Sequence, residues 1–150
     1  MNNQRLEGLR EERDLLKKDV AKNIGVVESV YSEWENSKLS IPTKRLIQLA
    51  NFFEVNIDYM LGLTDKRIKL KSSNDTDLDL VSRRLKEIRK SLKMTMRELA
   101  EKLNTSSSAI SNYENSKFLI LSSLLIQLCK MSNYSIDYIL GRTNEKSMNQ

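Results

Sequence analysis

The stretch that decides the fold is residues 94–117, MTMRELAEKLNTSSSAISNYENSK. It reads as two short helices joined by a tight turn. Thr95 is an N-cap, and Glu98 three residues on completes a capping box. Leu99, Ala100 and Leu103 form the apolar stripe of a first helix. Ala100 is small enough to let a second helix cross closely, and Asn104 tolerates the positive φ that ends the first. Thr105-Ser106 is a second polar start. After it Ala109, Ile110 and Tyr113 face inward, and Ser107, Ser108, Ser111 and Asn112 point out. That outward face carries short hydrogen-bonding side chains. It suits the major groove of a duplex, where hydroxyls donate to and accept from base edges and Asn pairs with adenine.

The order and spacing resemble the helix-turn-helix of the Cro/repressor-type family, the lambda-repressor-like class of bacterial regulators. The family pattern has a Leu-Ala step in its first helix, a Ser opening the second, and Ile-Ser…Glu-Asn-Gly-Lys closing it. Here these places hold Leu99-Ala100, Ser106, Ile110-Ser111 and Glu114-Asn115-Ser116-Lys117. The family's glycines are replaced by Asn104 and Ser116.

Composition narrows the remaining choices. Of 150 residues, 30% are charged and 39% hydrophobic, a globular balance and not a disordered one. No apolar run approaches a membrane span, and Met1 leads into a polar amphipathic stretch unlike a signal peptide, so a cytoplasmic location is expected. There is no histidine, and Cys129 is the one cysteine. An intrachain disulfide is impossible, a His- or Cys-based zinc site has no ligands, and no His base is present. The four glycines form no phosphate loop. No enzyme activity, cofactor or metal is expected. The net charge of +5 points weakly toward nucleic acid.

Shifted by 79 residues, the chain aligns with itself without a gap. Arg5-Leu6 matches Arg84-Leu85, Arg10 matches Arg89, Glu35-Asn36-Ser37-Lys38 matches Glu114-Asn115-Ser116-Lys117, and Leu46-Ile47-Gln48-Leu49 matches Leu125-Ile126-Gln127-Leu128. Two copies of one domain follow. The fold expected is all-α, two tandem five-helix lambda-repressor-like domains, at 1–65 and 80–142. A polar linker at 66–79 joins them, and a polar, frayed tail covers 143–150. Helices are expected over about 3–14, 17–24, 28–35, 43–53 and 57–61, and again over 80–92, 96–103, 107–114, 122–131 and 136–140. Both copies close as the family does, with Ile57-Asp58-Tyr59-Met60-Leu61-Gly62 and Ile136-Asp137-Tyr138-Ile139-Leu140-Gly141. The linker's Lys66, Arg67, Lys69 and Lys71 form a basic run, read first as a solvated tether and second as a phosphate contact.

The resemblance implies sequence-specific binding of double-stranded DNA to regulate transcription, usually as a repressor. Carried over by position, base reading falls to Ser107, Ser108 and Asn112, with Ser106 and Ser111 on the same face. Phosphate contacts fall to Arg97, Asn115 and Lys117. The first copy's equivalents are Glu28, Ser29 and Glu33, with Lys17, Asn36, Lys38 and Lys44 around them. Its two carboxylates face a dense array of phosphates. Residues 1–65 sum to −2 and residues 80–150 to +6, which favours the second copy as the DNA reader. A competing reading gives the acidic first copy a protein partner, such as another regulator or a toxin, and makes DNA secondary. Arg10 with Glu35, and Arg89 with Glu114, occupy the positions of the family's internal ion pair. Tyr31, Trp34, Ile110, Tyr113 and Cys129 are expected in the core. Phe118-Leu119-Ile120-Leu121, apolar where the first copy has Leu39-Ser40-Ile41-Pro42, is expected to leave two side chains near the surface. Phe118 and Leu119 are the candidates for holding a homodimer or packing on the first copy.

Overall fold

A computed structural model describes residues 4–72 and 75–148. The expectations for residues 1–3, 73–74 and 149–150 lie outside the described residues. The chain divides into two compact units, Met1–Asn74 and Asp75–Met148. The first holds α1 (Gln4–Glu12), α2 (Lys17–Ile24), α3 (Glu28–Glu35), α4 (Thr43–Phe53) and α5 (Ile57–Met60). The second holds α6 (Leu78–Ser91), α7 (Met96–Lys102), α8 (Ser107–Glu114), α9 (Ser122–Ser132) and α10 (Ile136–Ile139). The fold is all-α, as the sequence predicted.

The repeat is as plain in the backbone as in the residues. Non-glycine residues with positive φ fall at Asp14, Ser37 and Glu54, and 79 positions on at Lys93, Ser116 and Asn133. Gly25 (φ 83°) corresponds to Asn104 (φ 56°), and Gly62 (φ 75°) to Gly141 (φ 78°). The left-handed turn is thus set by the fold, and Asn104 and Ser116 adopt it without being glycine. The buried side chains recur too: Leu6, Leu46, Leu49, Ile57 and Met60 match Leu85, Leu125, Leu128, Ile136 and Ile139. Tyr31 and Trp34, Ile110 and Tyr113, and Cys129 are all buried. Burial, then the neighbouring Glu35 carboxylate, pushes the Tyr31 phenol up.

Two arginine forks lock each unit. Arg10 donates from Nε and Nη2 to the Glu35 carboxylate at 2.7 and 3.1 Å, and from Nη1 to the Leu15 carbonyl at 2.9 Å. Arg89 repeats this with Glu114 at 2.7 and 3.0 Å and the Met94 carbonyl at 2.9 Å. One side chain therefore joins the first helix to the turn before the second and to the end of the third. The hydrogen bonds to the carboxylates hold both guanidinium groups above their ordinary pKa, against the opposing effect of burial. The second fork was not foreseen. Arg5 donates to the carbonyls of Tyr59 and Thr64 and to the Asp65 carboxylate while lying over the Tyr59 ring at 4.2 Å. Arg84 does the same with Tyr138, Thr143, Asn144 and the Tyr138 ring at 3.9 Å. The second unit adds a buried pair, Arg142 with Asp137, where the first has Leu63.

Residues 66–72 differ from the tether expected of them. They return to the end of α4: the Asn56 N–H donates to the Ile68 carbonyl, the Leu70 N–H to Glu54, and the Ser72 N–H to the Asn51 side chain. The Asn56 amide also spans the Lys66 carbonyl and the Ile68 N–H, at 3.0 and 2.9 Å. Arg67 forks onto Glu12 at 2.8 and 2.9 Å. The polar backbone that composition assigned to solvent is thus bonded inside the unit. The tail behaves alike. The Ser135 N–H donates to the Lys146 carbonyl, Tyr134 bridges Ser147, and Met148 is buried, so residues 143–148 are docked and not frayed.

Glu114 and Arg89 expose only 3% and 11% of their side chains. Glu114→Ala is expected to cost about 3–5 kcal/mol, because it leaves a buried guanidinium unpaired. Ser116→Gly is expected to gain about 1 kcal/mol by relieving the left-handed backbone. Urea denaturation of the full chain checks both.

Candidate nucleic-acid interface

The α7–turn–α8 segment is built from its caps. The Thr95 hydroxyl accepts from the Glu98 N–H and the Glu98 carboxylate from the Thr95 N–H, both at 3.1 Å, so the capping box is closed. Ser106 caps α8 by accepting from the Ala109 N–H at 3.1 Å. At the other end of α8, Ser82 on α6 donates to the Tyr113 carbonyl at 2.6 Å and accepts from the Ser116 N–H at 3.1 Å. Ser82 was missed by the sequence reading because its counterpart in the repeat is a different residue, Asn3. Together with the Arg89–Glu114 fork it fixes both the end of α8 and the loop after it.

The outward side of α8 is hydroxyl and amide. Ser106, Ser107 and Ser108 are exposed, and Ser111 and Asn112 are half-buried. Asn115 is exposed, but its amide donates to the Ser111 carbonyl at 2.8 Å and the Ser111 hydroxyl at 3.1 Å. In this arrangement its donors serve the helix end. Arg97 stands almost fully in solvent, 3.8 Å from Glu101, an exposed i,i+4 pair of little worth. Lys117 is exposed and has no ion pair among the described residues.

The first unit presents a different surface at matching positions. Leu16 and Val27 stand at the N-caps of α2 and α3, 57% and 64% exposed, where the second unit has Thr95 and Ser106. Neither can cap. Only the return half of the box survives, with the Asp19 carboxylate accepting from the Leu16 N–H at 2.8 Å. Glu28 and Ser29 are exposed and Glu33 half-buried. Lys17 is half-buried and donates to the Ser32 hydroxyl on α3 at 3.2 Å. Asn36, Lys38 and Lys44 are exposed, while Arg45 is tied to the Ile24 carbonyl and Gln48.

The charge contrast drawn from the sequence weakens once residues 66–72 belong to the first unit. Residues 1–74 then carry 13 basic and 11 acidic side chains, +2, and residues 75–148 carry 12 and 9, +3. What separates the units is the local chemistry of α3 and α8, not net charge. The apolar loop after α8 is also corrected in detail. Phe118 and Leu121 are 60% and 61% exposed, Leu119 is half-buried and Ile120 is buried. Because α9 begins only at Ser122, the loop does not tuck its side chains away as helix.

Two family descriptions match this geometry: "Helix-turn-helix" over residues 6–60 and "Helix-turn-helix domain" over residues 82–145. The chain belongs to the Cro/repressor-type helix-turn-helix family. It carries two such domains in tandem. It is similar to the "Uncharacterized HTH-type transcriptional regulator YobD" of Bacillus subtilis, with 39% identity over 62 residues, 41% of this chain and 55% of the relative. It is also similar to the "HTH-type transcriptional regulator ImmR" of Bacillus subtilis, with 36% identity over 70 residues, 47% of this chain and 55% of the relative. The chain spans about half the length of these curated relatives. No solved structure matches it. In this helix-turn-helix chain, no group of three His, Cys, Asp or Glu side chains suited to a metal occurs among the described residues.

The two sets of caps make a paired prediction. Ser106→Ala is expected to cost about 1 kcal/mol, and Val27→Ser to gain a similar amount, as a hydroxyl N-cap is lost or restored. Thermal denaturation of each variant against the parent measures both.

Proposed function

We propose that this chain is a DNA-binding transcriptional regulator whose second helix-turn-helix unit reads sequence. The observation that carries this reading is the outward face of α8. It is capped, anchored at both ends and lined by Ser107, Ser108 and Asn112 with no charged side chain among them. Neutral donors and acceptors of that size reach base edges in the major groove. Arg97 and Lys117 flank the face as phosphate contacts, and the capped start of α8 offers backbone N–H groups. Both relatives are named as transcriptional regulators, which supports the same role. Repression is the direction the family resemblance implies, and the reading assigns the chain no catalytic step. Among the described residues no helix is long and apolar enough to cross a membrane. Action in the cytoplasm goes with this reading.

A second reading rests on Leu16 and Val27. Two exposed aliphatic residues at uncapped helix starts, beside Glu28 and Glu33, suit contact with a protein better than with phosphate. In that reading the first unit holds a partner protein while the second binds DNA. The first-unit positions Lys17, Ser29, Asn36, Lys38 and Lys44 are then peripheral to base reading. The discriminating measurement is the salt dependence of duplex binding by full-length chains changed in one unit at a time.

The proposal includes a pair of chains on one site, held in part by Phe118 and Leu121. Phe118→Ser with Leu121→Ser is expected to lower the sedimenting mass to that of one chain and to flatten cooperative DNA binding. An unchanged mass in analytical ultracentrifugation would exclude the loop as the contact.

On DNA, Asn112→Ala is expected to relax sequence preference by about 1–3 kcal/mol. Lys117→Ala is expected to weaken binding to all sequences alike and to reduce the salt slope by about one. Titrations of target and scrambled duplexes at several salt concentrations separate the two effects. Equal affinity of the parent for both duplexes would refute the proposed function.

A further inference from the structure

The residues of α8 differ in how much discrimination each can supply. A serine hydroxyl donates or accepts, so Ser107 and Ser108 are compatible with several bases. Ser111 is engaged with the Asn115 amide, and Asn115 is thereby folded back on its own helix. Glu114 is committed to Arg89. Asn112 alone on α8 carries its side-chain donor and acceptor on two separate atoms of one planar amide. Its amide makes no hydrogen bond among the described residues. Its place is held by the backbone, because its carbonyl accepts from the Lys117 N–H at 3.1 Å, next to the loop that Ser82 fastens. A fixed backbone with an unspent amide is the arrangement needed for a bidentate contact.

We infer that Asn112 makes the discriminating contact of the second unit, to one adenine in the major groove, and that methylation of that adenine at N6 blocks binding. The inference rests on the proposed reading of DNA by α8. The side-chain Oδ1 would accept from N6–H and the Nδ2–H would donate to N7. Guanine offers two acceptors, so Oδ1 would be left facing O6. Cytosine offers only a donor and thymine only an acceptor with a methyl group. One base therefore satisfies both ends of the amide. When N6-methyladenine stays paired with thymine, its remaining N6–H is used in the pair. The methyl group then occupies the place of the major-groove donor. A chain whose specificity is concentrated in this contact would distinguish methylated from unmethylated sites.

The test uses the full chain and the tightest duplex recovered from a random pool. Each adenine is replaced in turn by 7-deazaadenine, which lacks the N7 acceptor, and by N6-methyladenine. These probes alter the DNA, so no change in protein folding enters. One adenine per half-site is expected to weaken binding about ten-fold or more with either analogue. In Asn112→Ala the same substitutions should cost less than two-fold, as the partner of the contact is gone. If specific binding is observed but no adenine responds, or if the response persists in Asn112→Ala, the inference is overturned while DNA reading stands. If the parent shows no preference for any duplex, the proposed function itself fails.

Discussion

The rest of each unit depends on one ion pair, Arg10 with Glu35 and Arg89 with Glu114. A guanidinium is planar and rigid, so two bonds to the carboxylate and a third to a carbonyl fix three chain segments with one side chain. These segments are the first helix, the turn into the second, and the end of the third. A helix of eight residues is too short to hold itself by propensity. The third helix is nevertheless held in place, since its last residue is tied to the first helix. In the second unit Ser82 adds a neutral clamp on either side of Glu114, at the Tyr113 carbonyl and the Ser116 N–H. The outward face of α8 can then be made of small polar side chains, since the placement of the helix does not depend on them.

Much of this was legible in the chain. The capping box at Thr95 and Glu98, the helix ends near Asn104 and Gly62, and the 79-residue repeat follow from residue chemistry that acts locally. The Arg10–Glu35 positions came from family resemblance, and the geometry bears them out. The Arg5 and Arg84 forks did not announce themselves, because their partners are chiefly backbone carbonyls. Carbonyl groups leave no mark in a sequence. The docking of residues 66–72 was hidden for the same reason. Five of the seven residues from Lys66 to Ser72 are polar, the exceptions being Ile68 and Leu70, yet the backbone pairs with residues 51–56, and polarity of side chains says nothing about that. At the candidate site, the sequence placed Asn115 and Lys17 among the DNA contacts. The structure shows each of them bonded within its own unit.

The tandem also shows how one fold hosts two surfaces. The buried matches, Leu46 with Leu125 and Ile57 with Ile136 among them, keep the same core. The outward positions are free to differ, and they do: Thr95 against Leu16, Ser106 against Val27, Ser107 against Glu28 and Asn112 against Glu33. Two hydroxyl caps are exchanged for exposed aliphatic side chains, at a cost of about 1 kcal/mol each to the first unit. Such a loss at two corresponding places fits a surface shaped for contact and not for helix stability.

The central claim is that the outward residues of α8, and not those of α3, select DNA sequence. The most direct measurement compares duplexes enriched from a random pool by the parent and by two full-length variants. One variant places the first unit's residues on α8 through Ser107→Glu and Asn112→Glu. The other places the second unit's residues on α3 through Glu28→Ser and Glu33→Asn. The account predicts that the parent enriches a defined motif, that the α8 variant loses it, and that the α3 variant retains it. Loss of the parent's motif in the α3 variant, with retention in the α8 variant, would contradict the account.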